Sequence, residues 1–208
     1  MNGPLALAST FTENLLLEYT NGMSGDKFGW GRLDALQLQQ IMSLHTTYAD
    51  LMRRTRYVAR VRGSNLLNRV LRSMEQFVNG SVVSGAAAEP EVSLVFISGH
   101  DTNLSNLSGM LDLSWLLPTY QDDDVPPGGA LIFSLWQSSS GGSYFVRVQF
   151  LAQTLEQMHD GARLSLSNPP AIADVFLPGC STAADGFPCE WQQFHHMVEA
   201  AIDPAFVK

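Results

Sequence analysis

The stretch LVFISGHDTNLSNLSGML, Leu94 to Leu111, decides how this chain is read. Four apolar residues, Leu94 to Ile97, run through Ser98 into Gly99, and His100 and Asp101 follow at once. Taken back to Val92, the run is rich in β-branched residues and bounded by Pro90 and Gly99, which predicts a buried strand over Val92–Ser98. Beyond it the apolar residues recur at helical spacing, and a helix is expected over Thr102–Leu113. In open α/β sheets, ligands sit beyond the carboxyl ends of the strands. Helix N-termini there offer unpaired N–H groups and a partial positive charge, a setting that suits phosphate. His100, Asp101 and Thr102 occupy that junction. An Asp or Thr at such a place also serves simply to cap the helix, so both readings stand at this point.

Upstream, the apolar spacing predicts helices over Leu5–Tyr19, Leu33–Arg54 and Tyr57–Phe77, followed by a surface loop of small residues from Asn79 to Pro90. Downstream, PTYQDDDVPPGG (Pro118–Gly129) is an acidic loop with two prolines. Strands are expected over Ala130–Trp136 and Tyr144–Leu151, joined by the flexible QSSSGGS, with a short strand at Asp174–Leu177 and a last helix over Glu190–Ala201. No internal repeat or linker divides the chain. One unit spanning 1–208 is expected, mainly helical over 1–78 and α/β over 90–208.

The 208 residues are 45% hydrophobic and 15% charged, enough for one sizeable core. A net charge of −8 argues against nucleic acid or an anionic membrane as partner. Seven of the twelve Lys and Arg nevertheless fall between Arg53 and Arg72. Such a run is usually a solvated helix face; the alternative turns one or two arginines into an anion pocket. No stretch reaches the roughly 20 apolar residues of a membrane span. The first residues lack a basic segment and are interrupted by Thr12, Glu13 and Asn14, so no signal peptide is expected in this chain. Cys180 and Cys189 flank a polar, turn-rich loop. Two reduced thiols are one reading; a disulfide, suited to an oxidising compartment, is the one expected here. They have no companion pair for a zinc site, and neither metal nor cofactor is expected.

SGHDTNLSNLSGMLDLSW, followed after the acidic loop by PPGGALIFSLW, resembles the histidine acid phosphatases (branch 2), in particular the bacterial phytase and glucose-1-phosphatase type. GPLALASTFTENLLLEYTNGM, WGRLDALQLQQIMSLHTTYADLMRRT and the closing cysteine loop fall in the same order, so the resemblance covers nearly the whole chain. It implies an α/β fold of the phosphoglycerate-mutase-like type, here with an incomplete, mainly parallel sheet and flanking helices. It implies hydrolysis of phosphomonoesters through a phosphohistidine, with Asp101 as proton donor and His100 contacting phosphate. An alkoxide leaves poorly, so a protonated carboxyl must supply its proton as the P–O bond breaks, which ties activity to acidic pH. By the same resemblance Thr102, Arg62, Glu13 and His45 line the substrate pocket. His159-Asp160 repeats the dipeptide without a preceding strand and is read as a helix end.

The family also needs a nucleophile in an Arg-His-Gly-x-Arg-x-Pro motif near the start of its fold. None of the five histidines here has Arg before it and Gly after it. The phosphate-clamping arginines of that motif are missing with it, and such groups supply the largest share of charge stabilisation. The expectation is therefore the C-terminal half of a periplasmic or secreted phosphatase, inactive without a missing N-terminal half. Its partner is a small phosphorylated substrate such as phytate or a sugar phosphate. The alternative is a non-catalytic phosphoester-binding protein.

Overall fold

The computed structural model describes residues 3–139 and 141–208; Ser140, in the expected hairpin loop, and residues 1–2 lie outside it. Helix α1 (Pro4–Thr20) starts with proline at its first position, where the missing N–H costs no hydrogen bond. The long helix expected over Leu33–Arg54 is divided. Asp34 caps α2 (Ala35–Ile41) in a reciprocal capping box with Gln37, α3 (Ser43–Ala49) follows, and the chain then widens into a π-helical turn, Asp50–Arg54. Thr55 leaves the helical region at ψ 129° and α4 (Arg56–Asn79) begins, ending on Gly80 in the left-handed conformation.

Among the described residues the sheet has four strands. β1 (Ala130–Gln137) pairs with β2 (Tyr144–Ala152), and β2 also pairs with β3 (Ala171–Val175) and β4 (Cys189–Glu190). All three pairings are antiparallel, which corrects the expectation of a mainly parallel sheet. For β1 and β2 the cause lies in their connection, a short loop, whereas parallel neighbours need a long crossover. The segment expected to feed such a crossover, Val92–Ser98, is not a strand. It runs into α5 (Asp101–Leu111) without joining any ladder, and Leu94 and Phe96 are 83% and 85% exposed. β3 also lies earlier than expected: it ends at Val175, and the Leu177 N–H donates to Ser181 Oγ at 3.0 Å instead of to a ladder partner. Helices α6 (Leu155–His159) and α7 (Trp191–Ala201) complete the chain, and His159 does close a helix.

One continuous core joins the helices to the sheet. β2 alternates inward at Val146, Val148, Phe150 and Ala152, as a strand with one buried face must. Trp115 stacks on Phe150 at 4.3 Å between ring centroids. Two glycines let α5 approach the helical layer. A Cβ at Gly109 would overlap the Arg54 backbone, and one at Gly63 of α4 would stand 2.7 Å from Met110 Sδ. Cys180 and Cys189 are joined by a disulfide, with Cα atoms 5.2 Å apart, that ties the loop after β3 to β4. Among the described residues no helix is long and apolar enough to cross a membrane.

Candidate active site

Asp101 is the first residue of α5, so its carboxylate sits where the helix presents free N–H groups. The helix start is held by Asn103, whose Oδ1 accepts the His100 N–H at 2.9 Å; a Cβ at Gly99 would crowd that same oxygen at 3.0 Å. His100 precedes the helix in extended conformation and is exposed. Thr102 turns toward its neighbour: its N–H donates to Asp101 Oδ1 at 2.6 Å and its hydroxyl lies 3.3 Å from the same oxygen.

His45 comes to Asp101 from α3. It is buried, its Nε2 stands 3.9 Å from Asp101 Oδ2, and its Nδ1 is 3.1 Å from the Ser9 hydroxyl of α1. A Ser9 hydroxyl donating to Nδ1 would leave the ring proton on Nε2, the atom that faces Asp101. Ser9 links α1 to the site, and Glu13, partly buried, lies one helical turn further along the same face. Arg62 is exposed on α4 and makes no hydrogen bond or ion pair among the described residues.

Sequence reasoning missed Arg53. From the π-helical turn its Nη1 contacts Asp101 Oδ2 directly, and Asn106 of α5 donates to the Arg53 carbonyl at 2.8 Å. The run of arginines carried the signal without saying which member turns inward. Arg54 turns in as well, pairing with Asp123 and, at 3.3 Å, with Asp50, while its Nη2 donates to the Leu113 carbonyl. Consecutive residues on a helix point about 100° apart, so adjacent arginines reach two separate carboxylates. π-turns of this kind occur frequently at functional sites.

The electrostatics divide two neighbouring acids. Burial alone would push Asp101 up, but the hydrogen bond and charge of Arg53, the Thr102 N–H and His45 outweigh it and hold the carboxyl below its ordinary value. Asp124 goes the other way. It is 3% exposed, its Oδ1 has no partner among the described residues, and burial pushes it up to about 7, with the Val125 N–H opposing and the charge of Asp101 assisting. The acidic loop therefore presents less negative charge than its sequence suggests: Asp123 is paired, Asp124 is buried, and Asp122 is exposed. A shallow concavity beside the end of α1, lined by Asn14, Leu17, Glu18, Thr20, Asn21 and Met23, includes none of the expected site residues.

The chain is 38% identical over 206 residues to phytase AppA of Escherichia coli (strain K12) and 27% identical over 205 residues to a glucose-1-phosphatase of Providencia rettgeri; each alignment takes in 98–99% of this chain and 46% of the relative. Its fold matches the apo form of Hafnia alvei phytase with a TM-score of 0.87 at 35% identity, covering 99% of this chain and 49% of that one. The same phytase in complex with myo-inositol hexakis sulphate matches with a TM-score of 0.83, again at 35% identity, covering 99% of this chain and 50% of that one. The chain thus spans about half the length of the relatives it matches. Residues 14–150 match the family described as the histidine phosphatase superfamily (branch 2), and the chain belongs to that family.

Proposed function

We propose that this chain is the C-terminal portion of a periplasmic acid phosphatase or phytase and supplies its proton donor. Asp101 protonates the leaving oxygen of a phosphomonoester, His100 contacts the phosphoryl group, and a phosphohistidine forms on a nucleophile contributed by the N-terminal half. The observation that carries the reading is the placement of Asp101 at the first residue of α5, with His45 and Arg53 against its carboxylate. Thr102, Glu13 and Arg62 complete the substrate-binding surface in the assembled protein. The unpaired run Val92–Ser98 becomes a sheet strand there, a role supported by the exposure of its apolar side chains. The disulfide supports an oxidising compartment. A phytate or sugar phosphate substrate is supported by the relatives and by the partial neutralisation of the acidic loop.

The test is complementation. The 208-residue chain alone is expected to leave p-nitrophenyl phosphate intact between about pH 3 and 8, because general acid catalysis contributes only about 10²–10⁴-fold. Phosphate monoester hydrolysis demands up to ~10²¹-fold, and the remainder comes from covalent catalysis and charge stabilisation. Mixing with a separately expressed N-terminal half bearing the Arg-His-Gly motif should restore turnover with an acid optimum, and Asp101→Asn should abolish it. Asp101-dependent hydrolysis by the chain alone would show that one of its own histidines is the nucleophile and overturn the division of labour. Phosphate binding without restored turnover would favour the non-catalytic binder.

A further inference from the structure

Arg53 is held by Asn106, Tyr48 and Asp101. Its carbonyl accepts from Asn106, its guanidinium carbon lies 5.8 Å from the centroid of the Tyr48 ring, and its side chain is 15% exposed. The carboxylate it meets is 25% exposed, so the pair borders solvent without being dissolved in it. The other groups facing Asp101 are His45 from α3, the N–H and hydroxyl of Thr102 from α5, and the carboxyl of Asp124 from the acidic loop, which burial keeps protonated up to about pH 7. Arg54 is occupied by Asp50 and Asp123. Arg53 is thus the guanidinium on Asp101.

We propose that Arg53 is a positioning residue for Asp101, holding the carboxylate in the free chain and moving onto a phosphoryl oxygen when one arrives. The inference rests on the phosphatase reading above. A general acid has to carry its proton before it can give it away, and a carboxylate paired with a guanidinium binds a proton weakly. A phosphoryl group offers the guanidinium fork more charge and a matching pair of oxygens. Once Arg53 shifts, burial favours the protonated form of Asp101. One proton then moves from solvent to the Asp101 carboxylate for each phosphoryl group bound, and later passes to the leaving oxygen. Substrate arrival loads the acid.

The experiment follows the Asp101 carboxyl carbon by NMR across a pH titration of the 208-residue chain, with backbone spectra confirming that each variant is folded. The wild-type inflection should lie below the ordinary Asp value of about 3.9. Arg53→Gln should raise it by about one to three pH units, and Arg53→Lys should keep most of the depression. Adding inorganic phosphate should raise the wild-type inflection and leave that of Arg53→Gln where it stands. An inflection unchanged by Arg53→Gln, or a wild-type inflection that phosphate does not move, would overturn the proposal. Failure of complementation would sink the phosphatase reading and leave this titration to be judged on its own. In the complemented enzyme Arg53→Gln should also displace the pH profile of kcat, a change that a merely structural arginine would not produce.

Discussion

Two apolar runs in this chain have similar composition and opposite fates. Val92–Ser98 and Tyr144–Ala152 both carry β-branched and aromatic residues suited to a sheet. The second lies at the centre of a ladder, paired with β1 from Tyr144 to Leu151 and with β3 and β4 on its other edge, with Phe150 fully buried. The first joins no ladder, and Leu94, Phe96 and Ile97 face solvent. Strand character is a property of pairs of segments, because an extended backbone satisfies its N–H and C=O groups only through a neighbour. The apolar residues say that a partner is wanted. They do not say whether it is within reach.

The paired run depends most on Phe150. Phe150→Ala should cost about 3–5 kcal/mol, since it removes the ring beneath Trp115 and leaves a cavity in the continuous core. Urea unfolding would measure it, and a loss under 1 kcal/mol would show that the paired side is less tightly built than its burial implies.

Asp124 offers the next largest effect, and it reports on the same side, because its carbonyl accepts from the Trp115 indole N–H at 2.9 Å. The carboxyl is pushed up to about 7 in the fold, against about 3.9 for an unfolded chain. Between those values the folded state keeps a proton that the unfolded state has released. This contribution to stability is fully present below about pH 4 and is lost as pH rises through 7, on the order of a few kcal/mol in all. Asp124→Asn should flatten that fall and leave the protein more stable than wild type at pH 7, measured by thermal unfolding at several pH values. Parallel pH curves for the two proteins would refute the assignment.

The smallest effect belongs to the open run. Phe96→Ser should change the stability of the chain alone by no more than about 0.5 kcal/mol, as expected of a surface position. The same substitution should weaken complementation by the N-terminal half. Amide exchange sharpens the contrast: Leu94 to Ile97 should exchange freely in the chain alone and become protected in the complex, while β2 is protected in both. Protection of this run in the isolated chain would mean that a second copy already pairs with it.

Much of the molecule was legible in the sequence. Helices α1, α4, α5 and α7, the β1–β2 hairpin and the acidic loop follow from apolar spacing and turn residues, and each is local. The His-Asp pair at the start of α5 was legible too, from a motif whose chemistry and position agree. His45 was named by resemblance, and the structure brings it beside Asp101. Arg53 was not legible, because seven neighbouring arginines look alike until a π-helical turn points one of them at a carboxylate. Nor was the raised Asp124, since three consecutive aspartates carry no mark of which one the loop folds inward.

By itself, the amino-acid sequence determined the family, the α/β class, the extents of α1, α4, α5 and α7 and the aspartate at the head of α5, all of which depend on pattern along the chain. Tertiary structure decided the antiparallel order of the sheet, the exposure of Val92–Ser98 and the opposite fates of Asp101 and Asp124. These depend on which segments and charges meet across the fold, and the strength of a carboxyl as an acid is set by burial and by the cation beside it.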